Sequence, residues 1–365
     1  MLNNIKVLTT AILAFTFLLV SNTGFSQHGE EHGTTEQHEK EFNPGEMIMG
    51  HVGDEYGWHI TTFGETHISI PLPIIVYSEH SGFSVFMSSK FHHGHSSYKN
   101  FKIASGKDNP NKGKVVEEVN GEEVRPYDIS ITKNTLSLFI SIALILWLFL
   151  AVAKGYRKRE GQAPKGIQSF IEPLILFVRD DIAKASLGEK KYMKFTPYLL
   201  SIFFFIFLNN LLGLVPIFPG GANLTGNIAI TMVLAIFTFI ITTINGNKNY
   251  WVHMVNTPGV PWWLKFPIPL MPFVEILGMF IKPFVLMVRL FANITAGHIV
   301  ALGFFSLIFL FGEMGGAPAG YGGAIFSVAF TIFLTMLELL VAFIQAYVFT
   351  LLSALYFGMA TEEHH

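Results

Sequence analysis

Long apolar runs separated by short polar joints dominate the second half of this chain. Three of them, at 135–153, 197–215 and 228–244, carry almost no charge. Each approaches the roughly 20 apolar residues that a helix needs to cross a hydrocarbon core of about 30 Å. Two more runs, at 272–311 and 324–359, are much longer. As a helix, the first of these would measure about 60 Å, so it must tilt strongly, kink or begin outside the membrane. Between the two lies Gly315-Gly316-Ala317-Pro318-Ala319-Gly320-Tyr321-Gly322-Gly323, a clear break in any helix. The pattern predicts an all-α integral membrane domain over 134–365 with about five transmembrane helices, the last two forming a long, tilted antiparallel hairpin.

The first 133 residues have a different texture. Lys6 precedes an apolar core from Val7 to Val20, and the small residues Gly24 and Ser26 stand before Gln27. That order predicts a signal peptide over 1–26. Residues 27–133 are rich in His, Glu and Gly, and their opening from His28 to Lys40 has the composition of a disordered segment. From Gly57 to Phe91, short β-rich pieces such as His67-Ile68-Ser69-Ile70 and Ile74-Ile75-Val76-Tyr77 are broken by Gly and Pro. These predict a small β-containing extramembrane module on the periplasmic side.

Composition supports the membrane assignment: 51% of the 365 residues are hydrophobic and only 14% are charged, against about 25% charged in soluble domains. There is no cysteine, which excludes disulfides, thiol catalysis and thiolate metal sites. No basic, aromatic-interleaved soluble face points to nucleic acid. Lysine and arginine collect in alternate joints. Lys154, Arg157, Lys158, Arg159 and Lys165 follow the first run, with Lys190, Lys191 and Lys194 before the second. Lys248 and Lys265 follow the third, whereas the joints after the second and fourth hold neither residue type. The positive-inside rule then places the N-terminus outside and the C-terminus in the cytoplasm of a bacterial inner membrane.

Against this background the polar residues of the last two runs stand out. Arg289 lies within Phe284-Val285-Leu286-Met287-Val288-Arg289-Leu290-Phe291, where a permanent cation costs from about 2.5 to more than 10 kcal/mol. Glu275, Lys282, Arg289 and Asn293 recur at intervals of seven, seven and four, forming one polar stripe about 40° wide. His298 points to the other side, about 13 Å nearer the outer surface. Glu338 is the only charged residue of the last run, and Gln345 shares its face. In an antiparallel hairpin, residues at equal depth have position numbers with a constant sum. A turn centred near residue 319 puts that sum near 638; Arg289 with Gln345 gives 634 and His298 with Glu338 gives 636. Two polar levels result, one titratable and one carrying a fixed charge. The bland alternatives are an ion pair of Glu338 with Lys282 or Arg289, interfacial snorkelling of Glu275 and Lys282, and interhelical hydrogen bonding by Asn209, Asn210, Asn223 and Asn227.

These residues resemble subunit a of the F-type ATP synthase membrane sector. The likeness lies in Lys282-Pro283 through Arg289-Leu290-Phe291-Ala292-Asn293 and Ala296-Gly297-His298. It continues in Phe207-Leu208-Asn209-Asn210-Leu211-Leu212-Gly213-Leu214-Val215-Pro216, and in Glu338 followed by Gln345-Ala346-Tyr347-Val348-Phe349. It covers roughly 135–365. The resemblance implies a non-catalytic stator subunit that offers two half-channels to a rotating ring of c subunits and is held by b-type peripheral stalk subunits. By it, Arg289 matches the essential arginine facing the ring carboxylate, and His298 and Glu338 match the ionisable pair of the outer half-channel. Asn293 and Gln345 match polar residues near the arginine, and Glu275 a residue near the inner exit. No cofactor is implied, and no Gly-rich phosphate loop of Walker type is present.

The His-rich region lies outside that resemblance. His92, His93 and His95, with His28, His32, His38, His51 and His59, invite a metal hypothesis, but their spacing fits no rigid motif and no metal site is assigned. A secondary transporter using Arg289 to bind an anionic substrate is the alternative for the whole chain. It predicts inverted repeats with interrupted helices in both halves, and none is visible.

Overall fold

A computed structural model describes residues 53–362 apart from 64–65, 95, 107–108, 216–217 and 256–269, together with residues 44, 45 and 48. The signal-like segment 1–26 lies outside the described residues, as do His28, His32, His38, His51 and His95. Among the described residues no group of three or more His, Asp or Glu gathers at metal-binding distance.

Among the described residues the extramembrane part holds eight short strands. β1 (Gly57–Phe63) pairs with β2 (Thr66–Pro71). The second sheet has the order β4-β3-β8, from β3 (Pro73–Ser78), β4 (Gly82–Met87) and β8 (Tyr127–Asp128). The third, β5-β6-β7, comprises β5 (Phe101–Ile103), β6 (Val115–Val119) and β7 (Glu122–Val124). All the pairings are antiparallel. The β6–β7 hairpin turns on Asn120-Gly121, both at positive φ, the backbone a two-residue turn needs to match strand twist. Alternation along β3 buries Ile74 and Val76 against Phe86, Phe91 and Phe101. The carboxylate of Glu117 is also buried, satisfied by the hydroxyls of Ser78 and Ser81.

The module is fastened to the membrane domain at two points. Helix α1 (Lys133–Lys158) is N-capped by Thr132, whose hydroxyl accepts from the Thr135 N–H at 3.3 Å. The Asp54 carboxylate accepts from the Asn134 N–H at 3.0 Å and the Glu55 carbonyl from the Lys133 N–H at 2.9 Å. An acidic side chain there also suits the positive end of the helix dipole. The second fastening is an edge-on contact of the Trp58 and Phe218 rings, centroids 5.1 Å apart.

Beyond α1, the stretch expected to be a plain basic joint contains a helix. α2 (Ile167–Leu176) continues through a π-helical turn, Phe177–Lys184, into α3 (Ala185–Leu214), with a kink at Gly188. Its apolar residues Ile167, Phe170, Ile171, Leu174, Ile175 and Val178 recur at helical spacing, a pattern masked in the sequence by its charged neighbours. Helix α4 (Ile228–Ile244) is N-capped by Asn227, whose side-chain oxygen accepts from the Ala229 N–H at 2.9 Å. The short α5 (Lys248–Val255) turns off it by 105°.

The last element, Leu270–Thr361, is helical throughout except at Gly316, which divides it into arms α6 (Met271–Gly316) and α7 (Gly320–Thr361). The break expected over nine residues is a single one. Gly316 supplies the positive φ of 69°, and Pro318 restarts the helix where its missing N–H costs nothing. The arms lie close enough that a Cβ on Gly320 would fall 3.1 Å from the Gly312 Cα. Phe304 and Phe330 stack across the hairpin with centroids 4.3 Å apart. These facing pairs sum to 632 and 634, a few units below the expected 638, because the turn is centred on Gly316 rather than near 319.

Among the described residues four helices are long and apolar enough to cross a membrane, and α4 with α5 makes a fifth if that bent pair counts as one span. The protein is a multi-pass, mostly helical membrane protein with a small β-containing extramembrane module. Its main core joins α1, α2, α3, α6 and α7 through buried Phe203, Phe204, Leu286, Leu290, Phe349 and Phe357. At one end of the bundle, three chain segments are tied together. Lys191 and Asn247 both donate to the Thr361 carbonyl, and Lys194 donates to the Asn245 side chain at 2.6 Å.

Candidate functional site

His298 and Glu338 of the hairpin meet helix α3 around a cavity of about 250 Å³. Its polar lining is Asn210 from α3, Asn293 and His298 from α6, and Glu338 from α7. Glu338 lies against Gly297, where a Cβ would come 2.8 Å from its Oε1. His298 leans the other way, its Nε2 at 3.6 Å from the position of a Cβ on Gly213. Small residues on α6 and α3 thus make the space that the two side chains occupy. The Oε1 of Glu338 is buried without a hydrogen-bond partner.

That last point decides between two readings. Among the described residues the salt bridges are Lys102 with Glu118 and Glu123, Arg179 with Asp180, and Lys184 with Glu189. Glu338 pairs with neither Lys282 nor Arg289, so it is not a structural ion pair. A carboxylate left short of partners beside a cavity is positioned to exchange a proton with whatever enters.

Asn210 was expected only to hold helices together, and it does so. Its amide donates to the Ala342 carbonyl on α7 at 3.2 Å and its oxygen accepts from the Thr225 hydroxyl at 2.6 Å. The same residue lines the cavity, one turn from Glu338 across α7. Asn209 instead donates back to the Phe205 carbonyl of its own helix at 2.7 Å. Nothing in the sequence separates these two neighbours; the helix phase that turns one inward and one along its own helix does.

Arg289 occupies the interval between His298 and the polar residues nearer the start of α6. Its neighbours Leu286 and Leu290 are each 1% exposed and face the core, so Arg289 is carried onto the exposed side of α6. It has no salt bridge among the described residues. Gln345, at the equal-depth position on α7, is buried.

On the far side of Arg289 lies a smaller void of about 20 Å³, lined by Thr238, Thr242, Tyr250, Lys282 and Tyr356 among others. The Lys282 ammonium sits over the Tyr356 ring, 5.7 Å from its centroid, a cation–π contact that lets it remain near apolar surroundings. Glu275, half-buried, is within electrostatic reach of Tyr250. Behind this void the Tyr198 hydroxyl meets Thr238 at 2.9 Å and Thr238 meets Ser353 at 3.3 Å, a buried link across α3, α4 and α7. Sequence reasoning missed this link, since hydroxyl residues in apolar helices usually bond their own backbone, as Thr242 and Thr350 do.

These features define a class: a multi-pass membrane protein whose helical hairpin carries, between two polar-lined voids, an arginine with no salt bridge among the described residues. Comparison with known proteins makes the class specific. The family described as ATP synthase A chain matches residues 135–358. ATP synthase subunit a of Chloroherpeton thalassium is 44% identical over 251 residues, 66% of this chain and 70% of that protein. ATP synthase subunit a 2 of Chlorobaculum tepidum is 44% identical over 245 residues, covering 66% and 65% of the two chains. The like-named protein of Prosthecochloris aestuarii is 46% identical over 243 residues, covering 64% and 70%. The chain belongs to the ATP synthase subunit a family. Residues 47–129 match a separate family described as a domain of unknown function (DUF8433).

Proposed function

We propose that this protein is the proton-translocating stator subunit of a bacterial F-type ATP synthase, working against a rotating ring of c subunits and held by b-type peripheral stalk subunits. The observation that carries the proposal is the placement of exposed Arg289 between a cavity lined by His298 and Glu338 and a second void lined by Lys282 and Tyr356. Two separate voids suit two half-channels, and an arginine on the outward face of α6 suits contact with another subunit. The chain itself performs no ATP chemistry in this reading. It lies in the inner membrane with its N-terminus in the periplasm, after removal of residues 1–26, and its C-terminus in the cytoplasm.

The steps follow from the chemistry of these groups. A proton enters beside His298 and Glu338, with Asn293 as a polar neighbour, and neutralises a ring carboxylate, which then turns through lipid. When that carboxylate comes round to Arg289, the fixed opposite charge lowers its pKa by about 1–3 units, and the proton leaves on the side of Lys282, Tyr356 and Glu275. Gln345 keeps a neutral polar surface at the depth of the guanidinium. Because arginine stays protonated, the same residue bars direct passage between the two voids. Each charge that crosses 100 mV supplies about 2.3 kcal/mol.

The test is ATP-driven acidification of inverted membrane vesicles, comparing wild type with Arg289→Ala, with assembly checked by co-purification of the ring. Loss of pumping with the complex intact supports the proposal. Retained pumping makes Arg289 structural and returns the transporter reading.

A further inference from the structure

The sheet β4-β3-β8 carries large apolar side chains on both faces, and the described residues cover only one of them. Ile74, Val76 and Phe86 pack inward. Turned the other way are the residues between them, and the strand register sets these in rows. Phe83, Tyr77 and Tyr127 form one row, with Phe83 67% and Tyr127 69% exposed. Val85 stands opposite Ile75, and Ile75 is bonded through its carbonyl to the N–H of Ile129, which is 71% exposed. Met87 stands opposite Pro73, whose carbonyl accepts from the Ile131 N–H. These three rows, drawn from β4, β3, and β8 with the chain that follows it, hold no charged side chain. Strands that are apolar on both faces are the mark of sheets covered on both sides. A contiguous apolar surface of this kind on an extramembrane module marks a contact site.

What covers it follows from where it ends. The row of Met87, Pro73 and Ile131 adjoins Thr132, the N-cap of α1, so the face leads to the start of an apolar membrane-span helix on which Phe139, Ile142 and Leu146 are exposed. The other end of the face carries the tyrosine pair, rings 6.4 Å apart, and tyrosine is the residue that settles where hydrocarbon gives way to headgroups. We infer that this face lies on the bilayer surface at the N-terminal end of α1, continuing the lipid-facing belt of the spans, so that the module is seated on the membrane as well as tethered to it. An uncharged apolar face that includes a pair of tyrosines matches the interfacial zone.

The cysteine-free sequence makes the test direct. Phe83→Cys, Val85→Cys and Met87→Cys, each spin-labelled in the purified complex in proteoliposomes, report relative accessibility to oxygen and to a water-soluble nickel chelate. Phe139→Cys on α1 gives the lipid reference, and Glu122→Cys on the exposed β6–β7 hairpin gives the water reference. The expected result is oxygen access and nickel exclusion close to the Phe139 label at two or more of the three positions. Nickel access like that of the Glu122 label would overturn the inference. Low access to both reagents would also overturn it, by assigning the face to another protein. Since the three positions are exposed, a label that disturbs one of them is checked by the other two.

Discussion

Glu338 and Gly297 are in contact across the hairpin, and the glycine is what leaves room for the carboxylate: any side chain at 297 would begin 2.8 Å from Glu338 Oε1. Gly297→Ala therefore has to push Glu338 aside or part the helices. Only the far end of the Glu338 side chain is too close, so the packing cost is small and the change falls on the position of the carboxylate. Slower ATP-driven pumping is expected with the complex still assembled, and the loss should shrink in a Glu338→Gln background, where the displaced group no longer titrates. Equal losses in both backgrounds would show that the glycine serves packing alone.

Arg289→Lys is expected to fail almost as completely as Arg289→Ala. An ammonium keeps the charge but not the planar, permanently protonated fork of the guanidinium, and it can shed its proton when desolvated. Coupled pumping in vesicles carrying either variant measures this. Wild-type rates with lysine would reduce the requirement to charge alone.

Glu338→Gln removes one of the two titratable groups of the larger cavity, leaving His298, and keeps the cavity's shape. Transport should slow and its pH profile should change form, with His298→Ala altering the same limb of the profile. Rates measured from pH 6 to 9 test this, and parallel profiles for wild type and Glu338→Gln would remove Glu338 from the proton path.

Asn210→Ala strands the buried Thr225 hydroxyl and removes the tie from α3 to the Ala342 carbonyl, which keeps the bond of its own helix. A destabilisation of about 1–3 kcal/mol is expected, visible as a lower Tm of the purified complex. Asn209→Ala, which loses only a bond to its own helix, should cost less.

Tyr56 provides a pH prediction in the β module. Burial, and then the Asp128 carboxylate that accepts its hydroxyl proton, push the phenol well above its ordinary 10.0. The folded state therefore favours the protonated form: this stabilisation is complete below about pH 10 and is lost as the pH rises beyond it. Wild type should resist protease nicking between β1 and β8 better than Tyr56→Phe at pH 8, and the difference should narrow above pH 10. A gap independent of pH would mean that the phenol contributes packing only.

Much of the membrane architecture was legible because bilayers impose length and composition on helices, and because an antiparallel turn fixes depth. Counting from a turn placed three residues late still set Glu338 beside the right part of α6. The amphipathic α2 was missed because charge obscured its period, and the extent of the Gly-rich break was overestimated because one glycine at positive φ suffices. The voids were beyond sequence reasoning. They depend on Gly213 and Gly297 being small at particular helix phases, and on Asn210 facing in while Asn209 faces its own backbone. Burial does not by itself distinguish Thr238, which bridges three helices, from Thr242, which bonds within one.

Arm α6 has 46 residues, a rod of about 69 Å that stays within a core of about 30 Å only when inclined about 60° from the membrane normal. Inclination converts distance along the helix into distance across the membrane plane. The nine-residue step from Arg289 to His298 is about 13 Å along the axis, but at that angle it is only about 6 Å of depth and about 12 Å of lateral travel. An arm inclined in this way spaces its polar groups sideways across the membrane plane more than through its depth.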